Sequence, residues 1–287
     1  MNFCKCVAGA LTVLLTTAFV APLCAQHPGR NYRLKKIIPV EGRQGVAVDS
    51  GYYYVSDTKV LYKYDKKGRI VARNDHPFMH PERANHFGDI DVYDGEIYCG
   101  IERFEYGRGY NIAISVYDAS TLQWKRDFPW APESGQVEVS GLAVDRDNGL
   151  VWMSDWVDSR YVYAYDLATG RYHSKMQCRP APYWCQGIFV ADGMMLFTAD
   201  DGEAQYGIPD NIYVADVSDV PYTGLVDGEE VVKDTPFSVK LDKDGKPVMR
   251  SGKIAAGAKA GRVRLFREMD DFLRAGEIEG LSIDPVN

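Results

Sequence analysis

The sequence predicts an all-β fold: a β-propeller of five four-stranded blades, with six as the alternative count. A recurring unit and an unpartnered strand at each end of the repeat array carry that reading. Each unit opens on Gly and a short apolar strand. The five are Gly45-Val46-Ala47-Val48-Asp49, Gly88-Asp89-Ile90-Asp91-Val92, Gly141-Leu142-Ala143-Val144-Asp145, Gly187-Ile188-Phe189-Val190 and Gly280-Leu281-Ser282-Ile283-Asp284. A tight turn and an aromatic second strand follow, then a third strand ending at Tyr64-Asp65, Tyr117-Asp118, Tyr165-Asp166 or, degenerately, Ala215-Asp216. The first four opening glycines lie 43, 53 and 46 residues apart, near the period of propeller blades. The next gap, 93 residues, holds one swollen blade or two.

Blade one reads as strands over 46–49, 52–56, 59–64 and 69–74, joined by Ser50-Gly51 and Asp65-Lys66-Lys67-Gly68, residues suited to tight reversals. Blade two runs from Gly88 through 97–101 and 112–117 to 123–128. Blade three runs from Gly141 through 150–154 and 161–165 to 171–176. Blade four starts at Gly187, continues through 195–199 and 211–215, and then turns polar and irregular over 221–260. That stretch reads as an insertion ahead of an outer strand at 262–269. Residues 34–40 form an apolar strand without a partner, and 281–284 begin a repeat with no visible continuation. Pairing the first into the last blade closes the ring and removes two exposed edges.

Residues 1–25 read as a secretory leader: Lys5, an apolar run over 7–20, then Pro22-Leu23-Cys24-Ala25. The run is short for a membrane span, and no other segment is long and apolar enough. Lipid attachment at Cys24 is the rival, disfavoured by Pro22 and Leu23. The expected location is therefore secreted or periplasmic, with 26–287 as one propeller domain. Without the leader, Cys99, Cys178 and Cys185 remain, so at least one is unpaired. A bridge between Cys178 and Cys185 depends on whether Cys178 already lies on the path inward, and both outcomes stay open. A net charge of −7 with no basic stripe disfavours nucleic acid.

Antiparallel blades dictate which loops share a face. Turns at the lower face are short, whereas the upper connections 75–87, 102–111, 128–140 and 200–211 are long, and long loops on a rigid scaffold carry function. Residues just before each inner strand crowd the mouth of the central channel: Gln44, His86, Ser140, Gln186 and Glu279. At the upper end of each second strand stands an acid: Asp57, Glu102, Asp155 or Asp200. Four acids there suit a cation or a polyol, although Asp also ends strands as ordinary turn chemistry. Trp156, Tyr183, Trp184, Phe104 and Tyr106 fall on the same face, where flat rings beside carboxylates hold sugars, or else cover hydrophobic edges between blades. Trp124, Trp130 and Trp152 are expected between sheets. The loop that delivers His86 also carries His76 and His80. Serine-hydrolase, zincin, P-loop and dinucleotide fingerprints are all missing from the sequence.

The repeats Gly-Val-Ala-Val-Asp…Leu-Tyr-Lys-Tyr-Asp and Gly-Leu-Ala-Val-Asp…Val-Tyr-Ala-Tyr-Asp resemble the broad NHL, YVTN and SMP-30/gluconolactonase-like propeller group. They are also similar to the SdiA-regulated secreted propellers. The resemblance covers about 34–216 and 262–284. It implies the fold, while the group itself includes lactonases, sugar binders and interaction scaffolds. The lactonases hold a divalent cation, calcium or similar, with a Glu before an inner-strand Gly, two Asn and an Asp. Glu279-Gly280 matches the first and Asp200 the last, but Gln44 and Gln186 stand where the Asn are needed.

The leading expectation is an exported binder of a carbohydrate-like or polyhydroxylated ligand, contacted by Gln44, Asp57, Trp156, Tyr183, Trp184 and Gln186. The alternative is a hydrolase of lactones or esters, with Glu279, Asp200, Glu102 and Asp155 on a divalent cation and His86 as general base. A platform for a protein partner is the third reading.

Overall fold

The computed structural model describes residues 34–106, 108–156, 159–182, 184–200, 210–217, 243–244, 260–268 and 277–284. The leader over 1–25, Tyr183 and nearly all of the 221–260 insertion lie outside the described residues. Within them the chain is an all-β propeller of four blades in a ring. Blade one comprises β1 (Gly45–Val48), β2 (Tyr52–Ser56), β3 (Leu61–Asp65) and β4 (Ile70–Asn74). Blade two comprises β5 (His86–Tyr93), β6 (Glu96–Glu105), β7 (Arg108–Asp118) and β8 (Trp124–Pro129). Blade three comprises β9 (Leu142–Asp145), β10 (Leu150–Ser154), β11 (Tyr161–Asp166) and β12 (Tyr172–Arg179). Blade four comprises β13 (Cys185–Ala191), β14 (Met194–Ala199) and β15 (Asn211–Asp216). Its outer strand, β17 (Arg264–Glu268), arrives only after the insertion. A short β16 (Ala260–Arg262), unforeseen from the sequence, adds in parallel to the outer edge of blade three.

The Asp of each repeat is explained by its bonds. Asp49 Oδ1 accepts the Gly51 and Tyr52 N–H groups at 2.7 Å, which closes the turn, while Oδ2 accepts Tyr54 Oη–H at 2.9 Å. Asp145 does the same with Asn148 N–H and the Trp152 indole. Asp65, Asp118 and Asp166 hold the lower turns between third and outer strands. Between blades lie dry layers in which Trp152, Tyr54, Tyr117, Tyr165 and Phe197 are almost fully buried. Trp152 is thus where it was expected.

Three expectations need correction. Residues 34–40 form no strand and join no sheet among the described residues, which leaves Leu34, Ile37 and Val40 exposed. The segment still climbs the face of blade one: Ile38 rests on the Gly68 turn, and Glu41 N–H donates to Tyr64 Oη at 2.8 Å. The 102–111 connection is no loop but a tall extension of β6 and β7, with Phe104 paired to Gly109 and Tyr106 exposed at its tip. The central channel is closed at its upper end. There Gly45, Gly187 and Gly280 meet around Asp89, so close that a Cβ on Gly45 would lie 2.7 Å from Asp89 Cα. This close approach is why the repeat opens on glycine. A bulge between Phe87 and Ile90 swings Asp89 onto the axis, where it accepts Ile90 N–H at 2.8 Å and Ile188 N–H at 3.2 Å.

Residues 277–284 occupy the space between blades four and one. Gly280 N–H donates to Gln44 O at 3.3 Å, Thr198 Oγ1–H to Glu279 O at 2.7 Å, and Asp284 pairs with Lys66 Nζ at 3.1 Å. Cys99, Cys178 and Cys185 are buried free thiols, so no bridge joins Cys178 to Cys185.

Candidate functional site

The upper junction of blades two and three gathers the chemistry. β5 and β6 pair His86 opposite Glu102, and the Glu102 side chain is fully buried. Glu102 Oε1 lies 3.2 Å from His86 Nδ1, and Oε2 accepts Val139 N–H at 2.9 Å. Next to it Glu138, also buried, accepts Trp156 N–H at 3.0 Å. Asp155 Oδ1 accepts both Val137 and Glu138 N–H at 3.1 Å, while its Oδ2 takes Tyr163 Oη–H at 2.9 Å. Three carboxyls therefore knit the approach to blade three into the blades on either side. The β6–β7 extension bends over them, and Gly109 sits so close that a Cβ there would overlap Glu102 Oε2.

Electrostatics follow from this burial. Glu102 is pushed up to about 8 by desolvation, opposed only by the Val139 N–H bond. Glu138 is pushed up by burial first and by the neighbouring Glu102 second. Burial pulls His86 down to about 4, so its imidazole is neutral at pH 7. His86 is the one member of this cluster with an appreciably exposed side chain, at 22 %. Its ring lies 5.5 Å from that of Phe104, centroid to centroid, and Trp156 stands half-buried nearby. With Glu102 protonated, its O–H donates to His86 Nδ1 and leaves Nε2 as an outward N–H donor. Ionised, it accepts from Nδ1–H and frees Nε2 as a base.

The other expected site residues distribute differently. Glu279 and Asp200 influence each other beside Asp89 at the axis, where burial pushes Glu279 up to about 9, helped by Glu277, Asp200 and Asp89. Asp155 and Glu102 are instead engaged with residues 137–139. Among the described residues no group of three His, Cys, Asp or Glu side chains is arranged to hold a metal. Asp57 is half-buried and its N–H closes a turn onto Val60 O. Gln44 and Gln186 are half-buried, Ser140 is buried with its hydroxyl donating to Cys185 O, and Trp184 is buried. Sequence reasoning missed Glu138, Asp89 and Gly109. Asp89 carried a signal, since it stands where the other repeats place an apolar residue.

Together the fold and this junction define an all-β propeller with a buried acid cluster under a neutral, accessible histidine. No known protein family matches the chain, and no curated protein does. Among solved structures, a Myxococcus xanthus glutaminyl cyclase matches 60 % of the chain at 12 % identity, with a TM-score of 0.43 and 65 % of its own length covered. Kuenenia stuttgartiensis hydrazine synthase matches 66 % at 10 % identity, with a TM-score of 0.42 and 49 % of its length covered. The protein U3-55K matches 61 % at 14 % identity, with a TM-score of 0.41 and 48 % of its length covered. The chain thus spans less than two thirds of the length of each. The resemblance to the NHL, YVTN and SMP-30-like group narrows to the propeller fold itself.

Proposed function

We propose that the protein is an exported ligand-binding propeller that takes a polyhydroxylated, carbohydrate-like ligand on its upper face, at the junction of blades two and three. The observation that carries this reading is the His86–Glu102 pair: a neutral, partly exposed imidazole, held at Nδ1 by a buried carboxyl, beside the Phe104 ring. Such a donor beside flat apolar surface suits a hydroxyl oxygen on a sugar ring. Export rests on the leader at 1–25. A five-blade ring rests on Gly280, which joins the glycines of blades one and four at the axis.

The same pair also favours a second reading, hydrolysis of a lactone or ester with His86 as general base, as in the divalent-cation-dependent hydrolase weighed from the sequence. The two readings differ in pH dependence. A binder that donates from Nε2–H needs Glu102 protonated, so affinity falls as pH rises through about 8. A general base needs Glu102 ionised, so its rate rises over the same range. Thermal-shift screening against saccharides, followed by titration calorimetry of the best one from pH 6.5 to 9, is the test. Saturable binding that weakens above pH 8 and disappears in His86→Ala is the expected result. Turnover of lactone substrates that grows with pH, with no saccharide bound, reverses the order.

A further inference from the structure

We propose that a cleft at the upper end of blade two, beside the 75–85 segment, is a second ligand site, one that takes a small amphipathic carboxylate. The cleft encloses about 360 Å3 between the 75–85 segment and the upper parts of β6, β7 and β8, within the range of small-molecule sites. Its walls are mostly apolar: Phe78, Met79, Ile101, Ile112, Pro129 and Trp130. Phe78, Ala84 and Ile101 pack in the layer toward blade one, while Ile112 and Trp130 pack in the layer toward blade three. None of His86, Glu102, Glu138 and Asp155 lines it, so the cleft is separate from the His86 site.

The outer wall is already held in place. Tyr117 Oη–H donates to Pro77 O at 3.2 Å, Arg83 and Ala84 N–H both donate to His80 O, and Asn111 Nδ2–H donates to Arg83 O at 3.3 Å. Two donors of the lining remain unanswered among the described residues. The Trp130 indole N–H is buried with no acceptor. Arg83 is a lining residue, and no ion pair among the described residues engages it. Asp127, also in the lining, already accepts Ser115 Oγ–H at 2.7 Å and the Trp124 indole at 2.8 Å on one carboxyl oxygen. An anion is repelled from Asp127 and drawn to Arg83, while an apolar body covers the remaining walls. That polarity selects a carboxylate carried on a compact aromatic or branched aliphatic group.

The experiment titrates 3-phenylpropionate, and separately its uncharged amide, into isotope-labelled full chain and follows the backbone amides by NMR. The expected result is saturable shifts confined to residues 78–84, 111–115 and 127–130, with the amide binding ~10-fold more weakly or worse. Arg83→Gln lowers carboxylate affinity to that of the amide, Ala113→Phe fills the cleft and abolishes both, and His86→Ala changes neither. Arg83 is exposed, so its variant keeps the fold and decides the matter even where Ala113→Phe melts early. Equal affinity for the two probes, unchanged binding by Arg83→Gln, shifts centred on His86, or no saturation overturns the proposal.

Discussion

A carboxyl that keeps its proton at neutral pH leaves a mark on stability. Glu102 ordinarily titrates near 4.5 and is raised to about 8 in the fold. Between those values the folded chain holds a proton that the unfolded chain has released. This contribution is complete below about 4.5 and is lost as pH rises through 8. His86, lowered to about 4, acts in the opposite sense, but only below its ordinary 6.5. From pH 6.5 to 8 the Glu102 share is about 2 kcal/mol, at ~1.4 kcal/mol per unit. Melting temperatures should therefore fall across that window, and Glu102→Gln should flatten the slope without removing it, because Glu138 and Glu279 are raised as well. A slope identical in the variant would mean that Glu102 is ionised in the fold. Sequence placed Glu102 at the top of a second strand and His86 before an inner strand, since strand ends follow from alternation and turns. It did not place Glu138, because a carboxyl in Gln136-Val137-Glu138-Val139 reads as an exposed loop until the β6–β7 extension covers it.

At the scale of elements, strands bounded by Asp-Gly turns were legible and the β6–β7 extension was not. Arg103 to Asn111 carries two glycines and few β-branched residues, which reads as a loop. Its pairing is imposed by neighbours instead: Asn85 exchanges two hydrogen bonds with the Phe104 backbone. The extension must lie flat over the acids, and Gly109 permits that. Gly109→Ala should lift the tip, costing about 1–3 kcal/mol as overpacking does, and should weaken saccharide binding with the blades intact. Unchanged melting and binding would show that the tip shifts freely. Residues 34–40 were misread for a related reason. An apolar run supplies one partner of a ladder, and the other must come from elsewhere in the molecule.

For the whole molecule, the repeat fixed which residues are dispensable. Val144, fully buried between blades two and three, should not tolerate a charge, and Val144→Asp should abolish the cooperative melt. His86→Ala, at a partly exposed position, should stay within about 1–2 kcal/mol of the parent. Circular dichroism melts of the two variants make the comparison, and equal losses would mark His86 as a structural residue. The glycine layer at the axis has a wider meaning. Backbones of blades one and four and of the 279–280 segment touch around Asp89, so among the described residues the ring is stitched together at the upper end of its axis. A side chain added at Gly45, Gly187 or Gly280 would have to push a neighbouring blade or Asp89 aside, so the hub of the ring has no room to grow.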